Sequence, residues 1–215
     1  MSEAFVEIEG LSKRFPGAAV PALDGVSLAI SPGRVTGLVG PDGAGKTTLL
    51  RMMAGLMLPD RGRARVFGFD TARDALAVQA RIGYMPQRFG LYEDLTVREN
   101  LNLYAELRGL PGSERKATFE RLLAFTGLAP FTGRLAGKLS GGMKQKLGLA
   151  CVLIDAPDVL LLDEPSVGVD PISRRELWRM VGELARENVA IVWSTAYLDE
   201  AERCAETVLL NEGRV

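Results

Sequence analysis

One stretch constrains this chain more than any other: Val35-Thr-Gly-Leu-Val39, followed by Gly40-Pro41-Asp42-Gly43-Ala44-Gly45-Lys46-Thr47. Five uncharged residues predict a buried strand, and the octet after it matches G-x-x-x-x-G-K-[ST] in full. A strand, a glycine-rich turn and a helix in that order make a phosphate cradle. Gly43 and Gly45 let backbone N–H groups turn inward where side chains would block the approach. The helix starting at Lys46 adds the positive end of its dipole. Lys46 supplies a charge to the β- and γ-phosphates of a nucleoside triphosphate, and Thr47 a hydroxyl to Mg2+. Gly40 through Thr47, together with Thr48, are the predicted nucleotide contacts. Asp42 is the discordant member, because a carboxylate beside a triphosphate repels it, so its side chain is predicted to face solvent.

A second element points the same way. Val159-Leu-Leu-Leu162 runs into Asp163-Glu164-Pro165. Four apolar residues predict a central strand, which delivers Asp163 to the carboxyl end of the sheet, where open α/β folds bind phosphates. Asp163 would hold Mg2+ through a water, and Glu164 would reach the attacking water as a general base. Taken alone, the pair reads equally well as two solvated carboxylates at a strand end; the phosphate loop upstream decides for chemistry.

Composition removes several alternatives. The chain has 215 residues, room for one α/β domain, and a formal net charge of −1, which offers no basic surplus for nucleic acid. Arg61-Gly-Arg63-Ala-Arg65 reads as a solvated turn rather than a phosphate-backbone track. With no histidine in the sequence, imidazole acid–base catalysis and imidazole metal ligation are excluded. Cys151 and Cys204 read as small buried hydrophobes. The opening Met-Ser-Glu-Ala-Phe-Val-Glu has neither the basic start nor the apolar core of a signal peptide. The longest apolar run, Leu147 to Ile154, falls far below the roughly 18 residues that span a bilayer. A soluble protein is expected, meeting a membrane only through a partner.

Hydrophobic periodicity supplies the rest of the framework. Strands are predicted at 5–8, 26–30, 35–39, 65–67, 82–85, 159–162, 190–193 and 208–210, and helices at 46–56, 96–107, 113–125, 142–154, 171–187 and 198–204. Thr96 and Glu99 stand at capping-box spacing. Between Phe89 and Ile154 only helices occur. The predicted fold class is α/β: a P-loop NTPase core with a mostly parallel sheet (1–88 and 155–215), an N-terminal antiparallel β-subdomain, and an inserted helical subdomain of about 89–154.

Leu139-Ser140-Gly141-Gly142-Met143-Lys144-Gln145-Lys146 is a second bare helix start, with Ser140 as N-cap and Gly141 and Gly142 leaving the amides open to an anion. In that order these eight residues resemble the signature of the ABC (ATP-binding cassette) ATPases, and the resemblance covers the whole chain. It implies that the helix start at Ser140 closes over the γ-phosphate of ATP held by a second cassette. Phe15 matches the aromatic that stacks on adenine, although by its surroundings alone it reads more readily as core. Gln87 in Tyr84-Met85-Pro86-Gln87 matches the glutamine that senses Mg2+ and the γ-phosphate. Ser166-Val-Gly-Val-Asp170 resembles the loop that touches the partner cassette, with Asp170 as its carboxylate. Gly90 to Val97 falls in the region that docks permease coupling helices.

One departure stands out. Trp193-Ser194-Thr195-Ala196-Tyr197-Leu198-Asp199-Glu200 resembles the switch region, yet Ala196 occupies the position of a histidine that contacts the γ-phosphate. A methyl group can neither donate a hydrogen bond nor orient water, so the site is expected to bind Mg-ATP and turn it over slowly. Within the family the chain is similar to the first cassette of tandem ATPases that work with ABC-2-type permeases in drug or ion export. This implies a second cassette, as a tandem half after residue 215 or as a homodimer mate, and a place at the cytoplasmic face of the membrane. Two other readings stay open: a degenerate regulatory half that binds ATP as dimer glue, and a soluble ABC ATPase of translation or DNA maintenance. The latter carry long linkers or coiled coils, whereas only about fifty residues lie between Gln87 and Leu139, without heptads.

Overall fold

A computed structural model describes residues 4–88 and 90–215. The opening Met-Ser-Glu and Phe89, the residue from which the helical stretch was counted, lie outside the described residues. The chain runs through β1 (Val6–Lys13), β2 (Leu23–Ile30), β3 (Val35–Val39), α1 (Lys46–Met53), β4 (Arg61–Val66), β5 (Phe69–Asp70), α2 (Ala75–Gln79) and β6 (Ile82–Met85). Helices α3 (Val97–Leu107), α4 (Gly112–Thr126) and α5 (Gly141–Val152) follow. The chain then alternates as β7 (Val159–Asp163), α6 (Pro171–Arg186), β8 (Ala190–Thr195), α7 (Leu198–Ala201) and β9 (Glu206–Leu209).

By its contacts the chain divides into two units. One comprises Met1–Pro86, Asp158–Pro165 and Gly182–Val215; the other comprises Gln87–Pro157 and Ser166–Val181. The stretch Ser166–Val181, assigned to the core from sequence, thus groups with the helices.

The first unit holds both sheets. The antiparallel one has the order β2-β1-β4-β5, the parallel one β6-β7-β8-β3-β9. Along β1 the apolar Val6 and Ile8 are buried while Glu7 and Glu9 are exposed, the period of two that one-sided burial demands. β3, β7 and β8 are buried at every residue, as strands with both faces covered must be. Each such valine or leucine contributes about 1.5–3 kcal/mol relative to exposure.

The Arg61–Arg65 run is a strand, not the predicted turn. Arg63 stands opposite Glu9 and Arg65 opposite Glu7 on β1, and Arg65 also faces Asp70 on β5. Arg63 closes an ion pair with Glu9 at 2.6 Å. Opposite charges thus stand across two of the three arginine positions of the run, a pairing that favours this register.

In the second unit, α3 opens on the expected capping box: Glu99 N–H donates to Thr96 Oγ1, and Thr96 N–H to Glu99 Oε2. The Thr96 N–H and, next, the Thr96 hydroxyl, both donating to Oε2, hold the Glu99 carboxyl below its ordinary value. Leu101, Phe119, Leu122, Leu123 and Leu147 are buried in this unit. Among the described residues no helix is long and apolar enough to cross a membrane.

Two helices stop earlier than periodicity suggests. α1 ends at Met53, before Gly55 turns left-handed with φ 65°. α7 ends at Ala201, so Cys204 lies beyond it and only half-buried, its thiol pushed up to about 11 by burial and, less, by Glu200.

Candidate functional site

The parallel order β7-β8-β3 lays three strand ends side by side, and the polar groups of the first unit gather there. β3 ends at Val39, and Gly40 N–H donates to the Thr195 carbonyl at the end of β8. The loop then turns through Gly45 at φ 106°, where an added Cβ would stand 2.3 Å from the Ala22 carbonyl oxygen. Only glycine fits there. α1 begins with no side-chain cap and no acidic residue in its first turn, so no side chain of the helix's own first turn satisfies its N–H groups or offsets its dipole. Asp42 is exposed, as its charge requires, while Thr47 and Thr48 are half-buried.

Lys46 is 4% exposed. Its ammonium donates to the carbonyls of Gly40 at 2.7 Å and Pro41 at 3.0 Å, and lies 3.1 Å from Glu164 Oε1. Thr47 Oγ1 donates to Asp163 Oδ1 at 3.2 Å. The phosphate loop and the acid pair, 116 residues apart in sequence, are therefore one constellation.

Asp163, 1% exposed, is its hub. Oδ1 accepts from Thr47 and from Ser194 Oγ at 2.9 Å, and Oδ2 from the Tyr84 hydroxyl at 3.3 Å. Burial first, and then the Asp163 charge, raise the Tyr84 phenol above its usual value. Glu164 is held at φ 49°, a left-handed conformation that costs a non-glycine residue about 1–2 kcal/mol. Its N–H donates to Ser194 Oγ at 2.9 Å. The donor set of Thr47 hydroxyl and Asp163 carboxylate is all oxygen and suits a hard divalent cation. No group of three or more Asp, Glu, Cys or His capable of caging a metal occurs among the described residues.

At the end of β8, Ala196 is exposed. The turn after it is pinned by Glu200, which is fully buried and accepts from Thr195 Oγ1 at 2.6 Å and Trp193 Nε1 at 3.0 Å. Thr195 Oγ1 in turn accepts from Tyr197 N–H at 3.0 Å. Phe15, in the β1–β2 connection, is 39% exposed.

The second unit carries the other helix start. Ser140 caps α5 by accepting from Met143 N–H at 3.3 Å, and the first turn again has no acidic residue. Gly141 is exposed, but Gly142 is buried: a Cβ on it would meet the Ser173 side chain at 2.2 Å. Its bareness serves the close approach of α6 as well as any ligand. Asp170 caps α6, accepting from the N–H groups of Ile172 and Ser173 at 3.0 Å each. Bonds from Ser173 hold its carboxyl below the ordinary value. Gln87 is exposed, two residues past β6.

Sequence reasoning missed Ser194, Tyr84 and Glu200 as site residues. The signal for Ser194 was available in principle: a serine near the end of an all-apolar strand is poorly placed unless something polar stands beside it.

A family model described as "ABC transporter" matches residues 23–167. "Probable multidrug ABC transporter ATP-binding protein YbhF" of Escherichia coli (strain K12) is 66% identical over 215 residues, covering all of this chain and 37% of that protein. The chain thus spans little more than a third of the length of that relative. "Daunorubicin resistance ATP-binding protein DrrA3" of Streptomyces coeruleorubidus is 39% identical over 216 residues, covering all of this chain and 68% of that protein. A solved dimer of the ATP-binding cassette MJ0796 in a post-hydrolysis state, bound to ADP and Pi, superposes with a TM-score of 0.88 at 25% identity, covering 98% of this chain and 96% of that one.

Proposed function

The chain belongs to the ABC transporter family as an ATP-binding cassette, and from that premise we propose that it is the ATP-hydrolysing motor of a membrane exporter. The observation that carries the reading is the convergence of Lys46 and Thr47 on Glu164 and Asp163 at neighbouring strand ends. In this reading the Gly40–Thr48 loop cradles the triphosphate, and the Lys46 ammonium moves from the loop carbonyls to the β- and γ-phosphates. Thr47 and Asp163, with Gln87, would hold Mg2+, which when bound neutralises charge on the phosphate oxygens. Glu164 takes the proton of the attacking water. Phe15 stacks on adenine.

Ser140, Gly141, Gly142 and Asp170 face a second cassette, a tandem half or a homodimer mate, so that ATP is sandwiched between two protomers. Val167 and Ile172, 41% and 63% exposed beside Asp170, give that contact an apolar component. The daunorubicin-resistance and multidrug relatives support a drug substrate; the proposal extends to ions, pairs the cassette with an ABC-2-type permease and lays it peripherally at the cytoplasmic face.

Glu164→Gln tests the assignment. The variant should bind Mg-ATP within threefold of wild type, lose at least 100-fold in hydrolysis, and form an ATP-dependent dimer in sedimentation. Undiminished hydrolysis would overturn the role of Glu164. The exposed Ala196 supports slow turnover at this site. Ala196→His should raise the single-turnover rate by at least about tenfold, towards the roughly 100-fold or more that one well-placed oxyanion donor contributes; no gain of rate removes the idea.

A further inference from the structure

We propose that Ser194 is a positioning residue that sets Glu164 and Asp163 relative to each other. The inference rests on the ATPase reading above and goes one residue further than it. In the parallel pairing of β7 and β8, Asp163 stands directly beside Ser194, so their side chains share one face of the sheet. Ser194 is fully buried. Its single hydroxyl works in both directions: it donates to Asp163 Oδ1 at 2.9 Å and accepts from Glu164 N–H at 2.9 Å.

The second bond matters most. Glu164 follows the last residue of β7 and turns left-handed there, at φ 49°. A carboxylate-bearing residue adopts that backbone only when its surroundings hold it. Ser194 satisfies the N–H of the strained residue and so fixes the direction in which the general base leaves the strand. The first bond fixes one oxygen of Asp163, leaving Thr47 and Tyr84 to settle the rest of the carboxylate. Ser194 is also two residues before Ala196. Ala196 offers no side chain able to reach a phosphate, whereas the hydroxyl of Ser194 joins the switch strand to the acid pair.

The test compares Ser194→Ala with Ser194→Thr, which keeps the hydroxyl, in the full-length protein. Two readouts are followed. The first is hydrogen exchange at the Glu164 amide without nucleotide. Exchange should quicken at least tenfold in Ser194→Ala and stay within threefold of wild type in Ser194→Thr. The second is single-turnover hydrolysis with calorimetric ATP titration at graded Mg2+. Ser194→Ala should lose at least tenfold in rate and need several-fold more Mg2+, while its ATP affinity without Mg2+ changes less than threefold. Unchanged exchange at Glu164 overturns the proposal whatever the enzyme does. Equal loss of rate in both variants also overturns it, since packing rather than the hydroxyl would then matter. Because the exchange measurement involves no nucleotide, failure there is distinct from failure of the ATPase reading, which would appear as absent ATP binding by the wild-type protein.

Discussion

Two helices of this protein begin in the same chemical condition and end up with different company. α1 after Gly45 and α5 after Ser140 both start without an acidic residue in the first turn, so neither dipole end is offset by a charge from its own helix. α1 has its complement within its own unit: a buried lysine, two carboxylates and a hydroxyl within hydrogen-bond distance of one another. At α5 the serine cap and first glycine are exposed, and the lysines of the first two turns are already paired, Lys144 with Glu93 and Lys146 with Glu176. On the proposed reading the first start binds and reacts, and the second only binds. A helix N-terminus alone is thus half of a site, and what surrounds it decides whether chemistry follows.

That contrast can be broken most sharply at Lys46. Lys46→Ala should weaken Mg-ATP binding at least 100-fold in calorimetry, about 2.7 kcal/mol or more; retained affinity would mean that the loop is not the cradle. Next in size come the glycines. Gly45→Ala, which combines a positive φ with a 2.3 Å approach to the Ala22 carbonyl, should cost about 3 kcal/mol in denaturant unfolding and abolish nucleotide binding. Gly142→Ala should cost about 1–3 kcal/mol by overpacking against Ser173, yet leave the affinity of the monomer for ATP within twofold. The smallest effect belongs to Ser140→Ala, about 1 kcal/mol of stability for a lost cap. Its ATP affinity as a monomer should be unchanged and its ATP-dependent dimerisation weakened. Should Ser140→Ala lower monomer affinity as Lys46→Ala does, both helix starts serve one site in one protomer and the comparison fails.

The phosphate loop, the acid pair and the parallel sheet were legible because each is written locally. An uninterrupted apolar run followed by Gly-x-Gly-Lys can mean little else, the Asp-Glu after a second such run takes its meaning from that loop, and the structure brings those segments together. The capping box at Thr96 was legible for the same reason. Features that depend on a neighbouring strand were not. The Arg61–Arg65 run looked like a turn because its partners, Glu7 and Glu9, lie more than fifty residues away. Ser194, Tyr84 and Glu200 acquire their roles only from register and burial. Likewise Asp170 was read as a carboxylate for another cassette, while within the chain it is the cap of α6.

The side-by-side strand ends carry a further meaning for how such a chain can change over time. Because successive residues of a strand point to opposite faces, deleting one residue from Val159–Leu162 would swing Asp163 to the far side of the sheet and part it from Thr47 and Ser194. Replacing one apolar residue there by another would leave the acids where they are. Substitution is therefore cheap and a change of length is ruinous.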